Sequence, residues 1–286
     1  MAIKIVTDST SYIPAEYLKK YDIKVVSLNV IMDGISRREL DLDNSTFYSE
    51  MAKAKEIPTS SQPIPDEVYN VFENIVKDGD SVIGIFLSSD MSGTVSSANL
   101  IKSMIQEKYT DAEIEIIDSR TNCMQMGYVA IQAAKAAKEG KTISEVIDIA
   151  NDVIHNSRFI FTPDTLDYLK KGGRIGGAAA LFGTLLQIKP ILTVNDGKTS
   201  VFTKVRTKKK AIDTLIDSLL KDLEDRDLGD VIVHHINCPK DGQILVDKIK
   251  EKLGITAKMQ SIGPIIGLHV GPGSVGIAYY TKPKNN

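Results

Sequence analysis

Short apolar runs and amphipathic runs alternate along the first half of the chain. The short runs are almost continuously hydrophobic, as expected for strands covered on both faces, and span residues 3–7, 23–28, 82–87 and 114–117. The amphipathic runs have apolar residues at helical spacing; they follow Pro14 and Gly93 and cover 66–77, 122–138 and 143–154. Strands that alternate with helices in this way indicate a parallel sheet with right-handed crossovers, so we predict an α/β domain.

Two of these helices have recognisable end signals. Gly140 follows the 122–138 run as a candidate C′ glycine. Thr142 and Glu145 have the spacing of a capping box, in which a hydroxyl and a carboxylate satisfy backbone N–H groups reciprocally. One helix is therefore expected to end near residue 139 and the next to begin after Thr142.

The second half mixes a hairpin with helices and has no obvious linker before it. Residues 159–177 predict a short strand, a helix and a glycine-rich turn, and an apolar run then ends at Pro190. Asp196 and Gly197 are turn residues within a hairpin over 191–205. The other predicted elements are helices over about 208–224 and up to Gly254 and strands over 231–236 and 275–280. This is an α+β pattern, and we predict two closely packed domains, 1–157 and 158–286.

An uncharged segment over residues 259–281 contains five glycines and two prolines. A membrane-spanning helix needs ~20 mostly apolar residues without such breaks. We therefore interpret this segment as a loop and a strand at a buried site.

The composition of the 286 residues limits the classes of partner. Thirty-five basic and thirty-seven acidic residues give a net charge of −2, and the only basic block is Lys208–Lys210, which argues against a nucleic-acid partner. Cys123 and Cys238 lack metal-ligand spacing and fit a reducing cytosol. The N-terminus leads directly into a strand without a signal-peptide pattern. We expect a cytoplasmic protein without a metal or a cofactor, and at most transient contact with a membrane.

Hydroxyl-rich clusters follow two of the predicted strands, at residues 7–11 (TDSTS) and 88–94 (SSDMSGT). Ligands of open α/β sheets lie at the carboxyl ends of the strands. Ser92, Gly93 and Thr94 are predicted to form the first turn of a helix, where free N–H groups and the helix dipole favour an anion. The alternative is that Ser92 or Asp90 only caps that helix.

Three other stretches contain candidate binding residues. The proline-bracketed cluster PTSSQPIP at 58–65 predicts a rigid loop that presents hydroxyls, with a solvated turn as the alternative. His269 lies among glycines that permit close backbone approach to a ligand, although a histidine satisfied within the core is also compatible. Arg206 lies at a strand-to-helix junction and could contact an anion or a partner protein.

Several familiar site motifs are not matched. The segment LDYLKKGGRIGG has the glycines of a phosphate loop but not its Lys-Ser/Thr. His234 and His235 lie in a predicted strand and point to opposite faces, so they cannot chelate a metal together. No G-x-S-x-G nucleophile motif is present either.

An ordered set of motifs resembles the DegV family, fatty-acid-binding proteins that include the FakB subunits of bacterial fatty acid kinase. The set covers the chain from residue 5 to residue 280 and consists of TDSTS at 7–11, TSSQP at 59–63, SSDMSGTVSSA at 88–98, IDS at 117–119, LDYLKKGGRI at 166–175, VRTKKKA at 205–211 and HVGPGSVGI at 269–277. Each motif is weak alone, whereas their order is specific. The resemblance implies a two-domain fold with an N-terminal parallel α/β sheet domain and a C-terminal α+β domain.

The resemblance also implies a role in lipid binding without catalysis. Family members hold one long-chain fatty acid in a tunnel between the domains, and a separate kinase subunit phosphorylates it to an acyl phosphate for phospholipid synthesis. The carboxylate ligands would be Ser60, Ser92 and His269, with Ser61 and the Gly93 N–H close by. The family usually has threonine at the position of Ser60, so the hydroxyl is kept and a methyl group is lost.

The resemblance assigns Arg206 to contact with the kinase subunit. Two alternatives remain open: an enzyme of phosphoryl or acyl transfer that uses Asp8, Ser92 and His269, and a regulator whose bound lipid reports membrane status. An enzyme should turn over when purified alone. A carrier should copurify with lipid and need a second protein for acyl phosphate formation.

Overall fold

The computed structural model describes residues 1–181 and 188–284. Its α-helices are α1 (Ala15–Tyr21), α2 (Asn44–Met51), α3 (Pro65–Lys77), α4 (Thr94–Lys108), α5 (Cys123–Lys138), α6 (Ile143–His155), α7 (Asp167–Lys171), α8 (Lys208–Asp222), α9 (Pro239–Leu253) and α10 (Pro264–Val270). Its strands are β1 (Ile3–Asp8), β2 (Lys24–Val26), β3 (Asn29–Met32), β4 (Ile35–Arg38), β5 (Thr59–Ser61), β6 (Ser81–Phe86), β7 (Ile114–Asp118), β8 (Ser157–Thr162), β9 (Lys189–Asn195), β10 (Lys198–Val205), β11 (Arg226–His235), β12 (Lys258–Ser261) and β13 (Val275–Pro283).

The first half contains the predicted parallel sheet, with strand order β2-β1-β6-β7. One face packs against α3 and α4 through residues such as Val6 and Val82. The other face packs against α5 through Ile5 and Ile83. The side chains of successive strand residues thus pack into separate hydrophobic cores on opposite faces of the sheet, which explains why these strands are hydrophobic throughout.

Both helix end signals are confirmed. Gly140 has a φ of +80° two residues after α5 ends, a conformation that favours glycine. Thr142 accepts from the Glu145 N–H, and the Glu145 carboxylate accepts from the Thr142 N–H, so the capping box is complete. These contacts fix the turn between two helices that pack on the parallel sheet and on each other.

The second half is built on a six-stranded sheet of order β10-β9-β8-β13-β11-β12, in which only β11 and β12 run parallel. Its β9–β10 hairpin turns at Asp196 and Gly197, which have φ values of +45° and +78°. Two positive φ values characterise the tight hairpin turn that Asp-Gly favours, so this prediction is confirmed. Pro190 lies inside β9, and part of the apolar run before it, 182–187, lies outside the described residues.

Two predictions about local structure are wrong. Residues 58–65 are not simply a loop, because Thr59–Ser61 pair with β3 as an edge strand of a three-stranded antiparallel sheet of order β4-β3-β5. The segment 259–281 contains helix α10 in addition to a strand. Pro264 starts α10 at its first position, and Gly271, with a φ of +91°, follows its last residue.

The strands of the parallel sheet β2-β1-β6-β7 all precede residue 157, and the six-stranded sheet begins with Ser157. We propose a domain boundary at this residue, as the sequence pattern suggests. Within the described residues, no helix has both the length and the hydrophobicity needed to cross a membrane.

Candidate functional site

A cavity of about 230 Å³ lies between the two halves of the chain. Most of its wall is apolar and comes from both halves: Leu28, Leu87, Met91, Phe159, Phe161, Leu169, Val194, Ile265, Ile266 and Val270. Leu28 and Leu87 lie beyond the ends of β2 and β6, whereas Phe159 and Phe161 lie on β8. The carboxyl ends of the parallel sheet therefore face the second sheet across this cavity, where a ligand of an open α/β sheet is expected.

Polar side chains form the rest of the cavity wall. The structure brings all five predicted ligand-binding residues to it: Ser60, Ser61, Ser92, Gly93 and His269. They arrive on three separate elements, since Ser60 and Ser61 belong to β5, Ser92 and Gly93 precede α4, and His269 belongs to α10. An apolar cavity with a few convergent polar groups is the usual form of a small-molecule site.

Ser60 and His269 form a hydrogen-bonded pair, with 2.8 Å between Ser60 Oγ and His269 Nε2. The other ring nitrogen, Nδ1, is buried and has no hydrogen-bond partner among the residues that the structure describes. It faces Gly172, where a Cβ atom would lie only 2.3 Å from it. Glycine at position 172 thus makes room for the imidazole ring.

Burial lowers the pKa of His269 to about 4, and the positive charge of Arg174 adds to this effect, so the ring is neutral at pH 7. A proton on Nδ1 would leave a buried N–H without an acceptor, which costs more than leaving a ring nitrogen unpaired. We therefore assign the proton to Nε2, which donates to Ser60 Oγ. The Ser60 hydroxyl hydrogen is then free to point into the cavity.

Ser92, Gly93 and Thr94 were predicted to form the first turn of a helix, but the helix begins at Thr94, two residues after Ser92. Helix α4 starts at Thr94 with Gly93 at the N-cap position, so neither Ser92 nor Asp90 is the N-cap. Ser92 Oγ accepts from the Thr94 N–H at 3.3 Å and lies 2.9 Å from Thr94 Oγ1. Because Gly93 at the N-cap position has no side chain, the N-terminus of α4 can still receive an anion.

Arg174 also lines the cavity, and sequence reasoning missed it. Its Nε donates to the Met91 carbonyl at 3.1 Å and its Nη1 to the Gly172 carbonyl at 2.6 Å, which holds the guanidinium beside His269. Arg174 belongs to the motif LDYLKKGGRI at 166–175, which was matched to the family and rejected as a phosphate loop but was given no ligand role. A cation next to the polar end favours an anionic ligand there.

A second, more open cavity of about 450 Å³ adjoins the polar end of the first. The two cavities share Ser60, Arg174 and His269 in their walls. The open cavity is additionally lined by Lys55 and Lys171. A group held by Ser60 and His269 is therefore next to a cationic opening on the surface.

Three other polar residues of the cavity wall were not predicted, namely Gln62, Asn122 and Thr199. Gln62 directly follows β5, Asn122 precedes α5, and Thr199 reaches the cavity on the β9–β10 hairpin. Gln62 belongs to a motif that was recognised, whereas nothing in the local sequence shows that the hairpin folds over the cavity.

Asp8 and Arg206 do not line the first cavity. Asp8 is fully buried, and its carboxylate accepts from the Thr10 N–H, the Thr10 hydroxyl and the Leu87 N–H. The alternative set of Asp8, Ser92 and His269 is therefore not assembled. Arg206 is exposed between β10 and α8. Among the residues that the structure describes, no group of side chains has the composition of a metal site.

Comparison with known proteins places the whole chain in one family. The family model described as "Uncharacterised protein, DegV family" matches residues 2–282. A DegV domain-containing protein of Clostridium acetobutylicum is 52% identical over 282 residues, covering 99% of both chains.

Solved structures show the same fold. DegV of Bacillus subtilis, a fatty acid binding protein, is 34% identical and covers 99% of this chain and 100% of its own, with a TM-score of 0.87. A stearic acid-binding protein of Eubacterium ventriosum is 28% identical and covers 98% of both chains, also with a TM-score of 0.87. With its parallel sheet domain, its second sheet domain and a family match over nearly its full length, this chain belongs to the DegV family.

Proposed function

We propose that this chain binds one long-chain fatty acid, with the hydrocarbon in the cavity between the two halves and the carboxylate at its polar end. The observation that carries the proposal is the union of a largely apolar wall with Ser60, Ser92, Gly93 and His269 at one end. The family relatives from B. subtilis and E. ventriosum, which are fatty-acid-binding and stearic-acid-binding proteins, support it.

The carboxylate would be bound by donors that this structure already orients. Ser60 receives the His269 N–H and directs its own hydrogen into the cavity, and Ser92 adds a second hydroxyl. The uncapped N-terminus of α4 at Gly93 and the charge of Arg174 favour the anionic form. Ser61, next to Ser60 on β5, supplies a further hydroxyl at the cavity wall.

The free energy of apolar burial favours a site that encloses the hydrocarbon over a site on the protein surface. Burial of about fifteen methylenes contributes about 12 kcal/mol at ~0.8 kcal/mol each, before the cost of ordering the chain. A carboxylate buried without partners would cancel much of that gain, because an unpaired charge is expensive in an apolar environment. The hydroxyls, the imidazole and the helix terminus are therefore as necessary to binding as the apolar wall.

We further propose that the chain is a non-catalytic subunit that presents its fatty acid to a separate kinase. The open cavity beside Ser60 and His269 would let a phosphoryl donor reach the carboxylate, whose oxygen attacks the phosphorus to form an acyl phosphate. Arg206, exposed at the β10–α8 junction, would contact the kinase subunit. The burial of Asp8 away from the cavity makes the alternative of a self-sufficient transferase less favourable.

Lipid extraction tests the binding proposal. The purified protein is denatured, extracted with organic solvent and analysed by mass spectrometry, and we expect one long-chain fatty acid per chain. Protein stripped of lipid should take up added oleate or palmitate to the same ratio. A preparation that contains no fatty acid and takes up neither would contradict the proposal.

A further inference from the structure

The carboxylate of Glu39, a residue outside the cavity wall, is buried between the two halves of the chain. Its side chain accepts from the Ser9 hydroxyl at 2.5 Å, the Tyr12 hydroxyl at 2.9 Å and the Ile265 N–H at 2.9 Å. Only 4% of Glu39 is exposed. A buried carboxylate is tolerated where several donors are aimed at it, so this arrangement is specific.

Glu39 and Tyr12 take the place of a missing cap on α10. The N-cap position of α10 is Gly263, which has no side chain to accept from the first N–H groups. Glu39 accepts the Ile265 N–H, and the Tyr12 hydroxyl accepts the Ile266 N–H at 3.2 Å. A Cβ atom at position 263 would lie 2.7 Å from Glu39 Oε1, so glycine there makes room for the carboxylate.

Helix α10 has only seven residues, and four of them line the cavity: Ile265, Ile266, His269 and Val270. His269 lies four residues after Ile265, about one helical turn further on and on the same side of the helix. A shift at the capped end of such a short helix would therefore be transmitted to the imidazole.

We propose that Glu39 is a positioning residue for the ligand site, which holds α10 so that His269 meets Ser60. The TDSTS motif, which does not line the cavity, contributes through Ser9, whose hydroxyl donates to Glu39 and accepts from the Leu28 N–H at 3.1 Å. The proposal concerns the same site as the proposed fatty-acid function and rests on that function only for its effect on affinity.

Asp8 provides a matched control for Glu39. Both carboxylates are buried, both accept from three donors, and both lie at the ends of elements in the first half. The donors to Asp8 belong to Thr10 and Leu87, and none belongs to α10. Asp8→Asn therefore changes a buried carboxylate that makes no hydrogen bond with α10 in the described part of the chain.

The first measurement needs no ligand. The chain has four histidines, so the ring signals of lipid-free, ¹³C-histidine-labelled protein can be followed by NMR, with His269→Ala identifying the signal of His269. We expect Glu39→Gln to move that signal and to raise the pKa of His269 toward the ordinary range, because the ring leaves its buried place beside Ser60. Asp8→Asn should leave both unchanged. An unchanged His269 in Glu39→Gln would overturn the proposal.

Tyr12→Phe keeps the test decisive if Glu39→Gln does not fold. It removes one donor to Glu39 and the acceptor for the Ile266 N–H while keeping the ring. Its control is Tyr128→Phe, since the Tyr128 hydroxyl is buried and has no hydrogen-bond partner. We expect the His269 signal to move in the first variant and to stay in the second; the opposite pattern, or no movement in either, would refute the role of the cap.

A double-mutant cycle for affinity is the second measurement, with a fluorescent fatty acid as the probe. Glu39→Gln alone should weaken binding roughly tenfold, and adding it to His269→Ala should weaken binding little further, because both changes remove the same contact. Additive losses, or an equal loss in Asp8→Asn, would contradict the proposal. Failure of the wild type to bind the probe would instead contradict the fatty-acid function, while the NMR comparison still decides the role of Glu39.

Discussion

The hydrogen bond between Ser60 and His269 determines what the polar end of the cavity can do. In the proposed complex, a neutral imidazole that donates through Nε2 would leave the Ser60 hydroxyl as the group that meets the carboxylate. The imidazole then acts by orienting a hydroxyl, and an ionic attraction at neutral pH would have to come from Arg174. The loss of the threonine methyl that is usual in the family at position 60 matters little under this arrangement, because His269 fixes the direction of the hydroxyl.

Removal of His269 should therefore weaken binding without abolishing it. A hydrogen bond to a charged group contributes ~1.5–3 kcal/mol, so His269→Ala should reduce fatty acid affinity roughly ten- to a hundredfold. Titration of lipid-free protein with a fluorescent fatty acid measures this. A thermal melt of the same protein is the control, since a histidine with only a core role would lower the melting temperature and spare affinity.

The buried carboxyls should make the protein more stable below neutral pH than above it. Burial raises the pKa of Glu39 from 4.5 to about 7 and that of Asp8 from 3.8 to about 6. Because the folded state binds these protons more tightly than the unfolded state, their stabilising contribution is complete below the unfolded pKa values and is lost as the pH rises through the folded ones.

The expected result is that, when the pH is lowered from 8 to 6.5, the free energy of unfolding changes more favourably in the wild type than in Glu39→Gln. The histidines act in the opposite direction in both proteins, because burial lowers the pKa of His234 and His269 to about 4 and also lowers that of His235, while the unfolded state already binds protons near pH 6.5. Urea unfolding at both pH values measures the change, and Glu39→Gln should reduce it. An equal change in that variant would contradict the assignment.

The sequence singled out Ser60, Ser92 and His269 by their proline and glycine neighbours, but only the family resemblance assigned them to a ligand. Arg174 was not predictable, since its place depends on the Gly172 carbonyl and on the Met91 carbonyl from the other half of the chain. Glu39 was missed for the same reason. Glu39 follows two arginines, Arg37 and Arg38, in a segment without a site motif, and only the folded chain brings α10 to it.

At the scale of elements, the long periodic segments were predicted well and the short ones were not. Strands β1, β6 and β7 and helices α3 to α6 have enough residues for a clear pattern, and their bounds agree with it closely, whereas β2 has only three of the six residues predicted over 23–28. Strand β5 has three residues and exists because Ser60 pairs with Val30, a contact across the sequence. Helix α10 is too short for a pattern and depends on caps from the first half.

The close approach of α7 to α10 yields a prediction for Gly172. An alanine at this position would place its Cβ 2.3 Å from His269 Nδ1, although the backbone φ of −75° tolerates any residue. Gly172→Ala should therefore weaken fatty acid binding about as much as His269→Ala does. Its melting temperature should fall less than that of a variant in which a large core side chain is replaced by a small one. Gly177→Ala is the control, because its nearest neighbour would be 3.8 Å away. Equal fatty acid affinities of Gly172→Ala and Gly177→Ala would contradict the steric role of Gly172.

At the scale of the molecule, both halves contribute to one site, and contacts across the interface hold it together. Arg120, in the first half, lies 2.6 Å from Asp90 and 3.0 Å from Asp196 at the tip of the β9–β10 hairpin. The Ser88 hydroxyl donates to the Gly197 carbonyl at 2.8 Å. The hairpin that brings Val194 and Thr199 to the cavity is thus anchored on the loop that leads to Ser92.

A substitution of Arg206 should separate fatty acid binding from phosphorylation of the bound fatty acid by the kinase. Its exposed position outside the cavity predicts that Arg206→Ala binds fatty acid as the wild type does but loses acyl phosphate formation with a cognate kinase. Lys209→Ala, an exposed cation on the following helix, is the control and should retain both activities. Equal loss of binding and phosphorylation in Arg206→Ala would place this residue in the ligand site instead.

The most direct test of the proposed fatty-acid site is a crystal structure of the protein with a long-chain fatty acid brominated at its methyl end. We expect the carboxylate to lie within hydrogen-bond distance, ~3 Å, of the Ser60 and Ser92 hydroxyls. The anomalous signal of the bromine should lie in the apolar part of the cavity, away from His269. A bromine at the polar end, or a fatty acid bound outside this cavity, would contradict the proposed site.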